Sequence, residues 1–161
     1  MHAVHPIVAL QIEHSLFALD SESSTSKIFK TCHDLGVAIV AFSPIERGVL
    51  TGQLQSREDI PEGDVRRMLP KYSEENFPKI LELVQGLKDV ANSHGSTPAQ
   101  VAVAWLLAQG PEIIPIPGTK STSKIDENAA SALLQLSDQE VQEIWTLVEG
   151  IEIKSTQYPG A

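Results

Sequence analysis

Ile113-Ile114-Pro115-Ile116-Pro117-Gly118-Thr119-Lys120-Ser121-Thr122-Ser123-Lys124-Ile125-Asp126-Glu127-Asn128 is the stretch whose reading decides the fold. It begins as a short apolar run, turns at Gly118 and Thr119, and meets hydroxyls and lysines where a helix would start. A strand that feeds a helix through a glycine turn makes an anion site. The first helical turn has free N–H groups and a partial positive charge, and Lys120 and Lys124 add to it. Pro115 and Pro117 cannot donate ladder hydrogen bonds, which predicts a strand at a sheet edge or barrel seam. The same residues also suit an ordinary capped helix after an ordinary strand, and nothing within the stretch separates the two readings.

Upstream, the compact apolar run Ile7 to Ile12 suits a buried strand and leads into Glu13, His14 and Ser15. Ser21 to Ser26 reads as a loop and helix start. Ile28, Phe29, Cys32 and Leu35 then recur at helical spacing, with Gly36 where a C-terminal glycine belongs. Val37 to Phe42 is an uninterrupted β-rich run. Apolar strands alternating with helices predict a parallel sheet covered on both faces. From Gly48 to about Ser73 no periodicity is visible, and the stretch reads as a functional lid, a mobile loop or disorder.

Regularity returns with Ile80, Leu83, Val84, Leu87, Val90 and Ala91 on one stripe, ended by Gly95. Thr97 to Gln100 and Ser137 to Glu140 are capping boxes that open two further helices. The tail from Ile151 to Ala161 reads as irregular. The order is three βα units with additions.

Bulk properties narrow the function. At 161 residues, 42% hydrophobic and 20% charged, the chain is expected to form a single domain over residues 1–161. A net charge of -9 argues against a nucleic-acid or anionic-membrane partner. With no long apolar run or signal peptide, the chain is expected to be soluble and cytoplasmic. Cys32 is the one cysteine and reads as a core thiol. The five histidines are scattered with no metal-ligand spacing, so no metal site is expected.

ALQIEHSLF (Ala9 to Phe17), GVAIVAFSPIERGVLTG (Gly36 to Gly52), TPAQVAVAWLLAQG (Thr97 to Gly110) and IPIPGTKSTSKIDEN (Ile114 to Asn128) together resemble the C-terminal half of an aldo-keto reductase. The resemblance covers nearly the whole chain, in order and at family spacing. It implies part of an α/β (β/α)-barrel, with NADP(H) across the C-terminal rim of the strands. It also implies roles. Gln11 would hold the nicotinamide carboxamide, and Phe42, in place of the family's usual tyrosine, would stack on the ring. Ser43, Ile45 and Arg47 would follow the pyrophosphate. Gly118, Thr119, Lys120 and Lys124 would surround the 2′-phosphate, and Glu127 and Asn128 would meet the adenine.

The departures are equally specific. The family's catalytic tyrosine, lysine, aspartate and histidine belong to the first half of the barrel, which this chain lacks. Glu46 stands where SPxGRG usually has glycine, and His14 where QIEYS has tyrosine. A carboxylate beside a pyrophosphate weakens binding unless the loop turns it away. About three strands cannot close a barrel of eight, and two copies supply only six, so self-association or a partner chain is expected to cover the open face.

Three functional readings follow. One is a remnant of NADP(H)-linked oxidoreductase ancestry that binds NADP(H), acts on a carbonyl or related small molecule and needs a partner chain for the acid. Another is a cofactor-independent isomerase, cyclase or lyase in which His14 and Glu46 exchange protons. The last is a non-catalytic binding remnant.

Overall fold

The computed structural model describes residues 3–19, 27–151 and 153. Ser21 to Ser26 and nearly all of the tail after Ile151 lie outside the described residues.

Three parallel strands form the sheet in the order β1 (Ala9–Glu13), β2 (Ala38–Phe42), β3 (Ile113–Ile116). The proline-bearing β3 lies at an edge of these three strands, where a strand that lacks the N–H of Pro115 costs least. β1 starts later than the apolar run at Ile7, because pairing begins where Ala9 meets Ala38. Between β1 and β2 runs α1 (Ile28–Leu35). It ends at Gly36, whose left-handed backbone (φ 66°) lets the following N–H of Val37 reach the Cys32 carbonyl at 2.9 Å.

After β2 come α2 (Phe77–His94) and α3 (Pro98–Leu107), then α4 (Thr122–Ala130) and α5 (Asp138–Gly150) beyond β3. Both expected capping boxes are present. Thr97 Oγ1 accepts from Gln100 N at 3.3 Å, Ser137 Oγ accepts from Glu140 N at 3.3 Å, and each N3 side chain reaches back. α3 is buried almost all round, consistent with its small and apolar residues, and Trp105 from it stacks on Trp145 of α5 at 5.6 Å.

Among the described residues the sheet is covered on one face only, a correction to the two-sided burial expected from its apolar strands. Side chains alternate across a strand, and parallel register puts Leu10, Ile39 and Ile113 on the same side. That side packs into the helical core, where Ile39 and Ala41 have no exposed surface. The opposite side carries Gln11, Val40 and Ile114 in one row and Glu13, Phe42 and Ile116 in the next. Ile114 and Ile116 are 48% and 43% exposed. The near-continuous apolar pattern is thus that of strands meant for two covers, of which the described residues supply one.

Open apolar grooves flank both edges of the sheet. One of about 450 Å³ runs beside β1 between Ile7, Leu10, Cys32 and Leu35. Another of about 420 Å³ lies beside β3 between Leu107, Ile114, Pro117 and Ala129.

The aperiodic stretch is ordered. After the 3₁₀ turn Glu46–Thr51 it forms short turns at Arg57–Asp59, Val65–Met68 and Pro70–Tyr72. Ile60 and Tyr72 are fully buried beneath it. Its arginines bind its own carbonyls: Arg57 Nε donates to Tyr72 O at 2.9 Å, and Arg67 Nε donates to Ile60 O at 2.7 Å. A loop without a long helical or strand ladder thereby satisfies its backbone through short turn hydrogen bonds, such as Arg67 N to Asp64 O and Tyr72 N to Leu69 O at 3.0 Å each, with guanidinium donors on further carbonyls.

Candidate functional site

Because the strands are parallel and in register, Glu13, Phe42 and Ile116 end side by side on one rim. The segments that follow them carry the residues singled out in the sequence. Gln11 lies on the uncovered face, exposed, beside Val40 and one step below the rim. Phe42 lies on the same face, half-buried.

The loop after β2 is unusual in its backbone. Ser43, Glu46 and Arg47 all have left-handed conformations, with φ of 57°, 50° and 53°, ahead of Gly48 at 86°. Only glycine adopts such angles at no cost; for other residues each such position is strained by about 1–3 kcal/mol. Arg47 projects to solvent and Ile45 is half-buried.

Glu46 turns inward. It has no exposed surface, and its carboxylate is the centre of a buried cluster. Ser15 Oγ donates to Oε1, Tyr72 OH donates to Oε2 at 2.7 Å, and Lys71 Nζ is 2.7 Å from Oε2. Lys71 also donates to Glu13 Oε1 at 3.2 Å, joining the cluster to the end of β1. The loop thus turns the carboxylate away from the rim, the condition on which the like-charge objection to a pyrophosphate depends, and Glu46 shares Lys71 with Glu13. Burial, then the Glu46 charge and hydrogen bond, push the Tyr72 phenol far above its usual range.

His14 is also fully buried. Its ring lies 4.6 Å from that of Phe29, and Nδ1 is 3.5 Å from the Ala18 carbonyl. Burial lowers its pKa to about 4, so the imidazole is neutral at pH 7. His14 and Glu46 are thus both brought into the interior beneath the rim and present no surface to a solvent-borne substrate.

Beyond β3, Gly118, Thr119, Lys120, Ser121 and Ser123 are exposed around the start of α4. Thr119 Oγ1 accepts from Ser121 N at 3.1 Å, and Ser121 makes no side-chain cap, so the first turn of α4 keeps N–H groups directed to solvent. A Cβ at Gly118 would meet nothing, leaving the approach to that turn clear. Lys124 pairs with Glu127. Glu127 in turn accepts from Thr97 Oγ1 at 3.0 Å, and its carbonyl accepts from Gln100 Nε2 at 3.0 Å, tying α4 to the start of α3. Asn128 lines the groove beside β3.

Sequence reasoning did not find Ser15, Lys71 and Tyr72 as partners of Glu46. They lie 31, 25 and 26 positions from it, on a strand end and an aperiodic loop. The one available signal was Glu46 itself, an acid in a glycine's place. Among the described residues no cluster of metal-ligating side chains occurs, and no helix is long and apolar enough to cross a membrane.

Comparison with known proteins agrees with this architecture. Residues 1–149 match the aldo/keto reductase family. The chain is 51% identical over 152 residues to aldo-keto reductase str7 of Strobilurus tenacellus, covering 94% of this chain and 45% of that protein. It is 43% identical over 157 residues to aldo-keto reductase yakc [NADP(+)] of Schizosaccharomyces pombe (strain 972 / ATCC 24843), covering 98% and 46%. The glycerol dehydrogenase AKR11B4 from Gluconobacter oxydans superposes with a TM-score of 0.84 at 22% identity, over 99% of this chain and 48% of that one, which is a likeness of fold. The chain spans less than half the length of each of these relatives. Three parallel βα units with an open inner face, in a chain of this length, are a partial barrel, and the chain belongs to the aldo/keto reductase family.

Proposed function

We propose that this chain is the dinucleotide-binding half of an NADP(H)-linked oxidoreductase acting on a small carbonyl compound. The remaining βα units, on the same or another polypeptide, complete it. The observation that carries the reading is the rim: three strand ends in register, a turned loop presenting Arg47, and an open helix N-terminus beside Lys120. The residues present fit the cofactor's chemistry. Exposed N–H groups and a lysine suit a phosphate, an exposed amide at Gln11 suits a carboxamide, and Phe42 offers an aromatic face.

When bound, NADP(H) supplies the hydride. This chain's own residues bind and orient: Lys120 and the α4 N-terminus the 2′-phosphate, Arg47 and Ser43 the pyrophosphate, Gln11 the nicotinamide amide. Lys124 contributes less, since Glu127 already pairs with it. Tyr72 is not the proton donor to a carbonyl, because its hydroxyl is buried and bound to Glu46. The acid must come from the other half.

The open face supports the need for that half. Exposed isoleucines and grooves at both sheet edges suit strands paired to β1 and β3 and helices set beside them. The test is reconstitution. Adding a polypeptide with the remaining units should give carbonyl-dependent oxidation of NADPH. A stable complex that binds NADPH without oxidising it would remove the reductase reading and leave the binding half intact.

A further inference from the structure

Glu46 does something the dinucleotide reading leaves unused. Its carboxylate joins three elements that are remote in sequence: Ser15 after β1, its own loop after β2, and Lys71–Tyr72 at the end of the aperiodic strap. Tyr72 OH also reaches the Glu46 carbonyl oxygen at 3.3 Å, so side chain and backbone are gripped together. The same loop is held from outside. Arg66 Nη1 donates to the Arg47 carbonyl at 3.1 Å, and that guanidinium is fixed by Asp64 at 3.0 and 2.8 Å.

We propose that Glu46 is a positioning residue, the inner jaw of a clamp by which strap residues 57–72 hold loop residues 43–51 in one presentation. The strained conformations of Ser43, Glu46 and Arg47 need such a clamp, because they persist only where surrounding contacts over-determine them. Arg66 is the outer jaw. The consequence is a rim loop shaped in advance, with Arg47 facing solvent before any ligand arrives. The strap is thus a brace for the strand ends and not a freely moving lid. The clamp requires no bound nucleotide, so it stands or fails independently of the cofactor reading.

Amide hydrogen exchange on the protein tests it. Tyr72→Phe deletes one hydroxyl and should raise exchange in residues 43–51 and 57–72 about tenfold, as expected for losing one hydrogen bond to a charged group. Protection in α2 and α3 should stay unchanged. Glu46→Gly, which suits the left-handed backbone, should raise exchange further in the same two segments. Adding Tyr72→Phe to it should then have a much smaller effect than it has in the parent protein, because the carboxylate contact is already gone and only the longer contact to the residue-46 carbonyl remains to be lost. Glu46→Gln keeps an acceptor for Tyr72 and should bring exchange back toward the parent protein. Unchanged exchange in residues 43–51 for both single variants would overturn the clamp. So would multiplying effects in the double variant, no recovery in Glu46→Gln, or equal acceleration across α2 and α3.

Discussion

Tyr72 donates its hydroxyl hydrogen to Oε2 of Glu46 across 2.7 Å, and neither side chain has any exposed surface. Lys71 reaches the same oxygen at 2.7 Å, so a single carboxylate receives a phenol and an ammonium together. One lysine thereby serves two acids, Glu46 and Glu13, at the ends of neighbouring strands. A buried ion pair of this kind adds little over an apolar replacement, but losing one partner is expensive.

Lys71→Met should therefore cost about 3–5 kcal/mol, because two buried carboxylates lose their cation. Urea unfolding at pH 7 measures this. Combining it with Glu46→Gly removes one stranded charge and should recover part of the loss. A cost for Lys71→Met in the range of exposed pairs, below about 1 kcal/mol, would mean that water screens the cluster.

His14 sets an acid limit. Its folded pKa of about 4 lies below the ordinary 6.5, so the unfolded chain binds the extra proton between these values. Stability from this group is full above pH 6.5 and falls as pH drops toward 4. Between pH 7.5 and 5 the loss should be about 2 kcal/mol. His14→Leu should flatten that limb of the stability–pH curve, followed by denaturant midpoints. An unchanged slope would mean that His14 takes up its proton as readily in the folded protein as in the unfolded chain.

The open sheet face should govern association. Ile114→Lys and Ile116→Lys change side chains that are 48% and 43% exposed, so the isolated fold should lose little stability. Assembly, whether with a second copy or with a complementary half, should be abolished. Sedimentation of the parent and doubly substituted chains decides it, and equal association of both would place the interface elsewhere.

Lys120 should distinguish NADPH from NADH. Lys120→Ala should weaken NADPH about tenfold, the scale of one lost charge-assisted hydrogen bond, and leave NADH unaffected. Lys124→Ala should do less, because that lysine already pairs with Glu127. Parallel titrations with the two nucleotides measure both.

Much of this was legible in the sequence because the signals were local. Pro115 placed β3 at an edge of the three strands, and Gly36 ended α1. Thr97 and Ser137 opened helices with their boxes, and GTKSTSK placed an exposed helix N-terminus at the rim. What was hidden depended on distance along the chain. Continuous apolar strands predicted two covers, yet a pattern of side chains cannot say whether the same polypeptide provides both. The strap had no period to read, since separate short turns and arginine-to-carbonyl hydrogen bonds hold it in place of a long ladder. Glu46 was visible as an acid in place of glycine, but its inward turn depends on Lys71 and Tyr72, which no spacing rule connects to it.

Titration of the protein with NADPH, followed by fluorescence of the reduced nicotinamide, tests the central claim most directly, because every residue assigned to the dinucleotide lies on this chain. The account predicts saturable binding that weakens with salt and with Lys120→Ala. A signal that stays linear in NADPH, with no saturation at any salt concentration, would contradict it.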